Sequence, residues 1–157
     1  MPDFPIEIRS TEYQTEHGLM IRVKRGTLLC EFPGVPFLCD ALLDSAAPFS
    51  IVPYTLSHYL TWTPFATRVV KAEEAGPVTL TWQGIACDLG TIAFQCVHLE
   101  KGIRSVTLRT LAKFPRQVGA PALERTVVLG LSFIEDNPVR VVLDGTAGTL
   151  CGYLSVL

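Results

Sequence analysis

The sequence predicts a mostly β domain, and three features of its pattern support that fold class. The apolar runs are short and rich in β-branched and aromatic residues. They recur along the whole chain, and glycine or proline turns separate them. Only two segments have the character of short helices. Many short strands with frequent turns are typical of an all-β barrel or sandwich.

The first half of the chain is predicted to contain four strands and one helical turn. Arg25-Gly26 and Pro33-Gly34 are predicted to be turns between strands. Pro53 suits the first position of a short helix. In chain order we predict strands over 19–24, 27–32, 35–43 and 49–52, then one or two helical turns over 54–60.

The second half repeats this pattern and contains the second helical segment. Gln83-Gly84 and Gly90 are predicted to break strands, and 104–113 fits either a strand or a helix. A short helix over 131–137 is expected to stop before Pro138. The remaining predictions are strands over 66–72, 78–82, 85–89 and 91–99, a loop over 114–121, and a hairpin of 139–143 with 149–157.

The length and composition fit one domain with a large apolar core. The chain has 157 residues, of which 48% are hydrophobic and 18% charged. No repeat or linker suggests a second domain, so we predict a single domain over 1–157, with 1–16 as a flexible N-terminal arm. No apolar run approaches the ~18 residues of a membrane-spanning helix, and no secretory signal is visible at the N-terminus.

The charge pattern argues against nucleic acid and membrane partners. The net charge is −2, and the densest basic group is Arg22-Val23-Lys24-Arg25. Strand alternation puts Arg22 and Lys24 on one side, which is most simply a solvated face. Nucleic acid binding requires a broader basic stripe.

The five cysteines and three histidines indicate neither disulfides nor a metal site. The cysteine number is odd, there is no close CxxC pair, and most cysteines lie within apolar runs. Buried reduced thiols of this kind are typical of a cytoplasmic protein. The histidines are scattered and lack ligands at i+3 or i+4, so we predict no metal and no cofactor.

One acidic residue lies where an apolar run meets a turn of small residues. Leu42-Leu43 leads into Asp44, and Ser45, Ala46 and Ala47 follow. A carboxylate at the mouth of a buried strand, with little bulk around it, suits an acid that must approach a second acid closely. The alternative is an ordinary turn in which Asp and Ser side chains cap backbone amides.

This segment resembles the active-site loop of the retropepsin-like aspartic proteases. That family's pattern is two apolar residues, Asp, Thr or Ser, Gly and Ala, and Ala46 stands at the glycine position. Downstream, 127–134 resembles the family's apolar-apolar-Gly segment with its following short helix, so Leu129 and Gly130 would form a structural strand-glycine segment. The resemblance implies the acid-protease fold, a closed β-barrel, in a bacterial cytoplasmic protein.

The resemblance also implies a reaction and a partner. Aspartic proteases hydrolyse peptide bonds with two aspartates that share a proton. The chain contains one such loop, so the implied enzyme is a homodimer with catalytic Asp44 from each subunit and a peptide or protein substrate. Ser45 would bond across the dimer, beside Ala46 and Ala47. Because Ala46 replaces glycine, the alternative is a weak or inactive peptide-binding or dimerisation module.

The family covers its cleft with a β-hairpin flap, and the sequence offers two candidates. The first tip is Glu73, Glu74, Ala75 and Gly76, where glycine gives the freedom that a moving tip needs. A solvated hairpin turn explains the same residues equally well. The second candidate is Trp82-Gln83-Gly84-Ile85. Trp62 and Trp82 are candidate cleft residues, although tryptophans are more commonly core residues.

Overall fold

The computed structural model of the protein describes residues 3–64, 80–121, 124–146 and 148–157. These residues form strands joined by turns, with two short helices, so the mostly β prediction is confirmed. No helix in these ranges is long and apolar enough to cross a membrane. In chain order the elements are β1 (Asp3–Gln14), β2 (Met20–Glu31), β3 (Cys39–Leu43), β4 (Ser50–Ile51), α1 (Tyr54–Ser57), β5 (Trp62–Pro64), β6 (Leu80–Trp82), β7 (Ile85–His98), β8 (Ile103–Arg104), β9 (Leu108–Pro115), β10 (Val128–Leu129), α2 (Leu131–Glu135), β11 (Val139–Asp144) and β12 (Cys151–Val156).

Most strands belong to one mixed sheet with the order β11-β12-β1-β2-β3-β10-β4-β9-β7-β5. β6 and β8 pair with β7 outside this path. β7 also returns to pair with β2, with Cys30 opposite Cys96. The six strands β2, β3, β10, β4, β9 and β7 therefore pair in a ring.

A group of phenylalanines forms the centre of the core. Phe94 lies between Phe32 and Phe133, with ring centroids 5.1 and 5.6 Å away. The three rings are essentially inaccessible to solvent. Burial of a side chain of this size stabilises the fold by about 1.5–3 kcal/mol.

The two chain termini are joined in the sheet. Residues 3–6 of β1 pair with β12, and the other edge of β12 pairs with β11, as expected for the C-terminal hairpin. Residues 3–14 thus form a strand where the sequence suggested a flexible arm. Phe4 and Ile6 are buried, which explains why this segment joins the fold.

Two glycines lie in the middle of strands where the sequence suggested breaks. β2 runs through Gly26 and β7 runs through Gly90, so each replaces two predicted strands. A Cβ on Gly26 would lie 2.8 Å from Cγ2 of Ile6, and one on Gly90 would lie 2.6 Å from the Trp62 ring. These glycines permit close packing of neighbouring strands and do not form turns.

The other strands and helices begin and end closer to the predicted residues. β3 begins at Cys39, four residues later than predicted, because 33–38 contains turns. The ambiguous segment after Arg104 is strand β9, which extends to Pro115. The helices α1 and α2 lie where the sequence placed helical segments. The predicted strand over 66–72 lies outside the described residues.

Candidate active site

The candidate site is built on a short strand inserted between the two strands that flank Asp44. β10 pairs in parallel with β3, so that Leu129 lies opposite Leu43, and in antiparallel with β4. The Asp44 amide donates a hydrogen bond to the Leu129 carbonyl (3.0 Å). Residues 44–49, here called the acid loop, therefore connect β3 to β4 around the end of β10.

Within the acid loop, the Asp44 side chain shapes its own turn. Its Oδ1 accepts a hydrogen bond from the Ala46 amide (3.0 Å), and its carbonyl accepts one from the Ala47 amide (3.1 Å). This is the turn that aspartate commonly forms. Asp44 is partly buried, whereas Ser45 and Ala46 are exposed. Its second carboxylate oxygen remains available to other ligands.

Ala46 adopts an ordinary backbone conformation. Among the residues that the structure describes, Gln83 is the non-glycine residue with a positive φ. Alanine at position 46 therefore carries no left-handed strain, and its methyl group lies at the surface. Alanine at position 46 is therefore compatible with the turn around Asp44.

Gly130 allows the acid loop to lie directly against the start of α2. A Cβ at this position would lie 2.5 Å from the carbonyl oxygens of both Ala47 and Phe49, closer than side chains tolerate. The Leu131 amide donates to the Ala47 carbonyl (2.8 Å), and the Ser132 amide donates to the Pro48 carbonyl (3.1 Å). The segment of Leu129 and Gly130 thus fixes the backbone that follows Asp44.

A buried group of three hydroxyls, which the sequence analysis missed, supports the loop from below. Ser50 Oγ lies 2.8 Å from Thr110 Oγ1 and accepts a hydrogen bond from the Gly130 amide (3.1 Å). Ser132 Oγ accepts from the Ser50 amide (3.1 Å) and donates to the Leu111 carbonyl (2.8 Å). These residues lie 22 to 82 positions apart in pairs, so no local pattern reveals the group. It joins β4, β9 and α2 beneath the acid loop.

Asp44 opens into a pocket of about 330 Å³. Apolar side chains form most of its walls, and Arg25 and Gln83 are its other polar residues besides Asp44. The pocket is lined by Arg25, Leu42, Leu43, Asp44, Ile51, Trp82, Gln83 and Val128. A smaller apolar pocket of about 130 Å³ adjoins Asp44, Ser45 and Gly130 as well.

The hairpin that faces Asp44 is the second flap candidate. β6 and β7 pair with Trp82 opposite Ile85, and Gln83 and Gly84 form the two-residue turn between them. Their φ angles of 50° and 76° are those of a tight hairpin turn. The first candidate, Glu73, Glu74, Ala75 and Gly76, lies outside the described residues.

Of the two tryptophans, only Trp82 lines the Asp44 pocket. Trp62 stacks on Phe114 with ring centroids 3.9 Å apart. Trp62 is therefore bound to the core, and Trp82 is positioned to contact a ligand.

No family model and no curated protein matches the chain. Among solved structures, it is similar to a retropepsin-like aspartic protease from Rickettsia conorii. The two share 11% sequence identity, and the alignment covers 95% of this chain and 94% of that chain with a TM-score of 0.43.

A second group that the sequence analysis missed lies next to the turn end of the Trp82 hairpin. Glu124 is largely buried and accepts hydrogen bonds from the Gly119 amide (2.6 Å) and the Thr55 hydroxyl (2.7 Å). Gly119 in turn packs beneath the Trp82 ring. Burial raises the pKa of Glu124, but the donors from Gly119 and Thr55 outweigh it, and its pKa lies below the ordinary value.

Among the described residues that line the two pockets, Asp44 is the only carboxylate. Within the described parts of the chain, no three His, Cys, Asp or Glu side chains come together to hold a metal ion. Asp88 lies on β7 and forms an ion pair with Arg116 (2.7 Å). A two-carboxylate reaction at this site would therefore need a second acid from outside the described residues.

Proposed function

We propose that the protein is one half of an aspartic endopeptidase that acts as a homodimer. Asp44 from each subunit would share a proton with its counterpart, so that one carboxylate activates water while the other acid protonates the peptide carbonyl. Close pairing of two carboxylates makes them titrate as a unit. The observation that carries the proposal is the position of Asp44, on a turn held by backbone hydrogen bonds and lining a pocket whose other residues are mostly apolar.

The surroundings of Asp44 fit this role. The small side chains of Ser45 and Ala46 are exposed, so a second acid loop can approach without steric conflict. Ser45 would then provide the hydroxyl that bonds across the dimer. The Trp82–Ile85 hairpin would cover a bound peptide and exclude water from the site. No cofactor is required, and the proposed compartment is the cytoplasm, where the cysteines remain reduced.

The direct test replaces the catalytic carboxylate while keeping its shape. We expect Asp44→Asn to abolish cleavage of an unfolded, fluorescein-labelled protein between pH 4 and 7, a range of about three units chosen around carboxylate titration. Loss of the acid removes both proton-transfer roles. Cleavage is measured by fluorescence release, and folding by circular dichroism.

Asp40→Asn is the matched control for this test. Asp40 lies on β3, the strand that ends just before Asp44. Its side chain is exposed and bonds to Arg9 (3.0 Å) away from the acid loop. Its variant should retain wild-type cleavage. Cleavage that persists in Asp44→Asn, or is lost equally in both variants, would refute the role of Asp44.

The second candidate function is a peptide-binding or dimerisation module with little or no catalysis. Its basis is the exposed methyl group of Ala46, which imposes no backbone strain but adds bulk where the resembled active-site pattern has glycine. We expect Ala46→Gly to separate the two functions. A gain of cleavage and of pepstatin binding would show that alanine weakens the site, whereas a loss of existing cleavage would show that the site is adapted to it. Ala47→Gly, in the same loop, controls for loop flexibility alone.

A further inference from the structure

Beyond the body of the fold, β1 and β2 continue as a two-stranded ribbon. Residues 9–14 pair with residues 20–25, and nearly all of these side chains are exposed. β3 pairs with β2 only from Thr27 onwards. Among the described strands, none pairs with residues 20–26 on the side away from β1. Within the described parts of the chain, the backbone groups of this edge are therefore open to a further strand.

The open edge begins beside the candidate catalytic acid. Thr27 lies opposite Leu42 in the β2–β3 ladder, and continuing the register would place Arg25 level with Asp44. At Asp44 the chain leaves β3 and enters the acid loop, so β3 does not pair with β2 beyond Thr27. Arg25 lines the same pocket as Asp44. A peptide that extends from this pocket can thus run along the edge.

The edge carries cations without equal numbers of anions. Arg22 is paired with Glu12 across the ribbon (2.9 Å). Lys24 and Arg25 make no ion pair with a described residue, and the Arg25 guanidinium lies 5.7 Å from the centroid of the Tyr13 ring. This is the basic sequence Arg22-Val23-Lys24-Arg25, which the proposed reaction does not use.

The two faces of the ribbon differ in character. Lys24 and Arg22 are on one face, opposite Ser10 and Glu12. The other face exposes three apolar side chains. These are Tyr13, Ile21 and Val23.

We propose that residues 20–26 bind an acidic, alternately apolar segment of the substrate polypeptide as an added β-strand. This inference rests on the proposed peptidase function and assigns it a substrate class. Main-chain hydrogen bonds would hold the added strand, and its alternate side chains would meet the two faces of the ribbon. A carboxylate opposite Lys24 would supply the missing charge, one opposite Arg22 would add to its pair with Glu12, and apolar side chains would cover Val23.

The charges favour a substrate strand over a second copy of the same edge. Two antiparallel copies of β2 centred on Val23 would place Arg22 of each next to Lys24 of the other. Like charges directly opposite each other destabilise a sheet. An acidic strand converts the same positions into favourable cross-strand pairs.

Binding can be measured without cleavage in the Asp44→Asn protein. The probe is a labelled peptide of alternating Glu and Val, and the comparison is the same peptide with Lys in place of Glu. We expect the acidic peptide to bind at least about tenfold more tightly by fluorescence anisotropy, with affinity falling as salt rises. Equal affinity for the two peptides would overturn the proposal.

Charge reversal on the edge identifies the surface. The double change Arg22→Glu with Lys24→Glu, both on the face that would meet the carboxylates, should weaken acidic-peptide binding by about tenfold or more and favour the Lys peptide. Lys101→Glu, an exposed cation on a different turn, should leave binding unchanged. Equal losses in both proteins would show a general charge effect and contradict the assignment.

Backbone methylation tests whether the peptide binds as a strand. Two versions of the acidic peptide carry N-methyl groups on alternate residues, one on odd positions and one on even positions. One edge of an added strand faces β2, so one version should lose about tenfold in affinity and the other should not. Equal behaviour of the two versions would exclude strand addition.

The outcomes separate this inference from the proposed function. Charge-dependent binding to the ribbon together with an inactive wild-type protein would reject the peptidase proposal and keep the binding surface. Cleavage by the wild-type protein without any preference for acidic segments would reject the binding surface and keep the peptidase proposal.

Discussion

Gly130 illustrates how one residue fixes the geometry around Asp44. Its lack of a side chain lets the acid loop lie against the first turn of α2, where the carbonyls of Ala47 and Pro48 accept two amide hydrogen bonds. Gly130 has an extended backbone with φ −91°, so the requirement is for space and not for an unusual φ. A side chain here must displace the loop that carries the acid.

We therefore expect Gly130→Ala to reduce the free energy of unfolding by about 1–3 kcal/mol, the usual cost of overpacking. It should also reduce cleavage more than binding, because small displacements of catalytic groups cost rate. Urea unfolding measures the change in stability, and kinetic assays measure the changes in cleavage and binding. Gly145→Ala is the control, since a Cβ there meets nothing within 4 Å and stability should be unchanged.

At the scale of elements, the site depends on contacts between segments far apart in sequence. The buried group of three hydroxyls connects β4, β9 and α2 by hydrogen bonds beneath the acid loop. It consists of Ser50, Thr110 and Ser132. Glu124 links the segment containing Gly119 to α1 and so supports the hairpin that carries Trp82. The acid loop and the Trp82 hairpin are thus stabilised by two different groups of buried polar side chains.

Glu124 makes the support of the hairpin sensitive to pH. Its folded-state pKa is lowered, so its stabilisation is fully present above the ordinary pKa of about 4.5 and is lost as the pH falls through the folded value. At neutral pH, the free energy of unfolding of Glu124→Gln should be about 1–3 kcal/mol lower than that of wild type. The reason is that the amide replaces a buried carboxylate that accepts three hydrogen bonds.

The difference between wild type and Glu124→Gln should shrink at pH 3, about one to two units below the ordinary pKa, since protonation neutralises Glu124 in wild type and the glutamine of the variant is neutral at every pH. Urea unfolding at the two pH values measures it. Glu100 lies on an exposed turn, so Glu100→Gln should have the same free energy of unfolding as wild type at both pH values. A Glu124→Gln deficit that is independent of pH would contradict a charge-dependent role.

At the scale of the whole molecule, the proposed active site is divided between two copies of the chain. The sheet already joins its own termini, and both edges of β12 are paired within the chain. A partner would therefore meet the exposed acid loop and the apolar surface next to it, where Leu143 and Leu131 are exposed. Shared catalysis at such an interface has a quantitative consequence.

Mixing wild-type protein with an equal amount of Asp44→Asn should reduce activity to about one quarter of that of the same total amount of wild-type protein, because only dimers of two wild-type chains contain both acids. Independent subunits would give one half. The mixture is first equilibrated at low concentration to exchange subunits. Mixing with folded bovine serum albumin provides the control for dilution.

The sequence determined the features that depend on short stretches of chain. Glycine and proline turns with intervening apolar runs were enough to predict a mostly β fold and the positions of α1 and α2. The segment from Leu42 to Ala47 was enough to single out Asp44 at the end of a strand. These features follow from local conformational preferences and side-chain alternation.

Tertiary structure alone decided how these pieces meet. Gly26 and Gly90 resemble strand breaks locally, yet Ile6 and Trp62 pack so closely against them that only glycine fits. The insertion of β10 between β3 and β4 and the placement of the Trp82 hairpin over Asp44 also depend on contacts between distant segments. Such contacts are set by the packing of the whole sheet, which no local stretch of residues encodes.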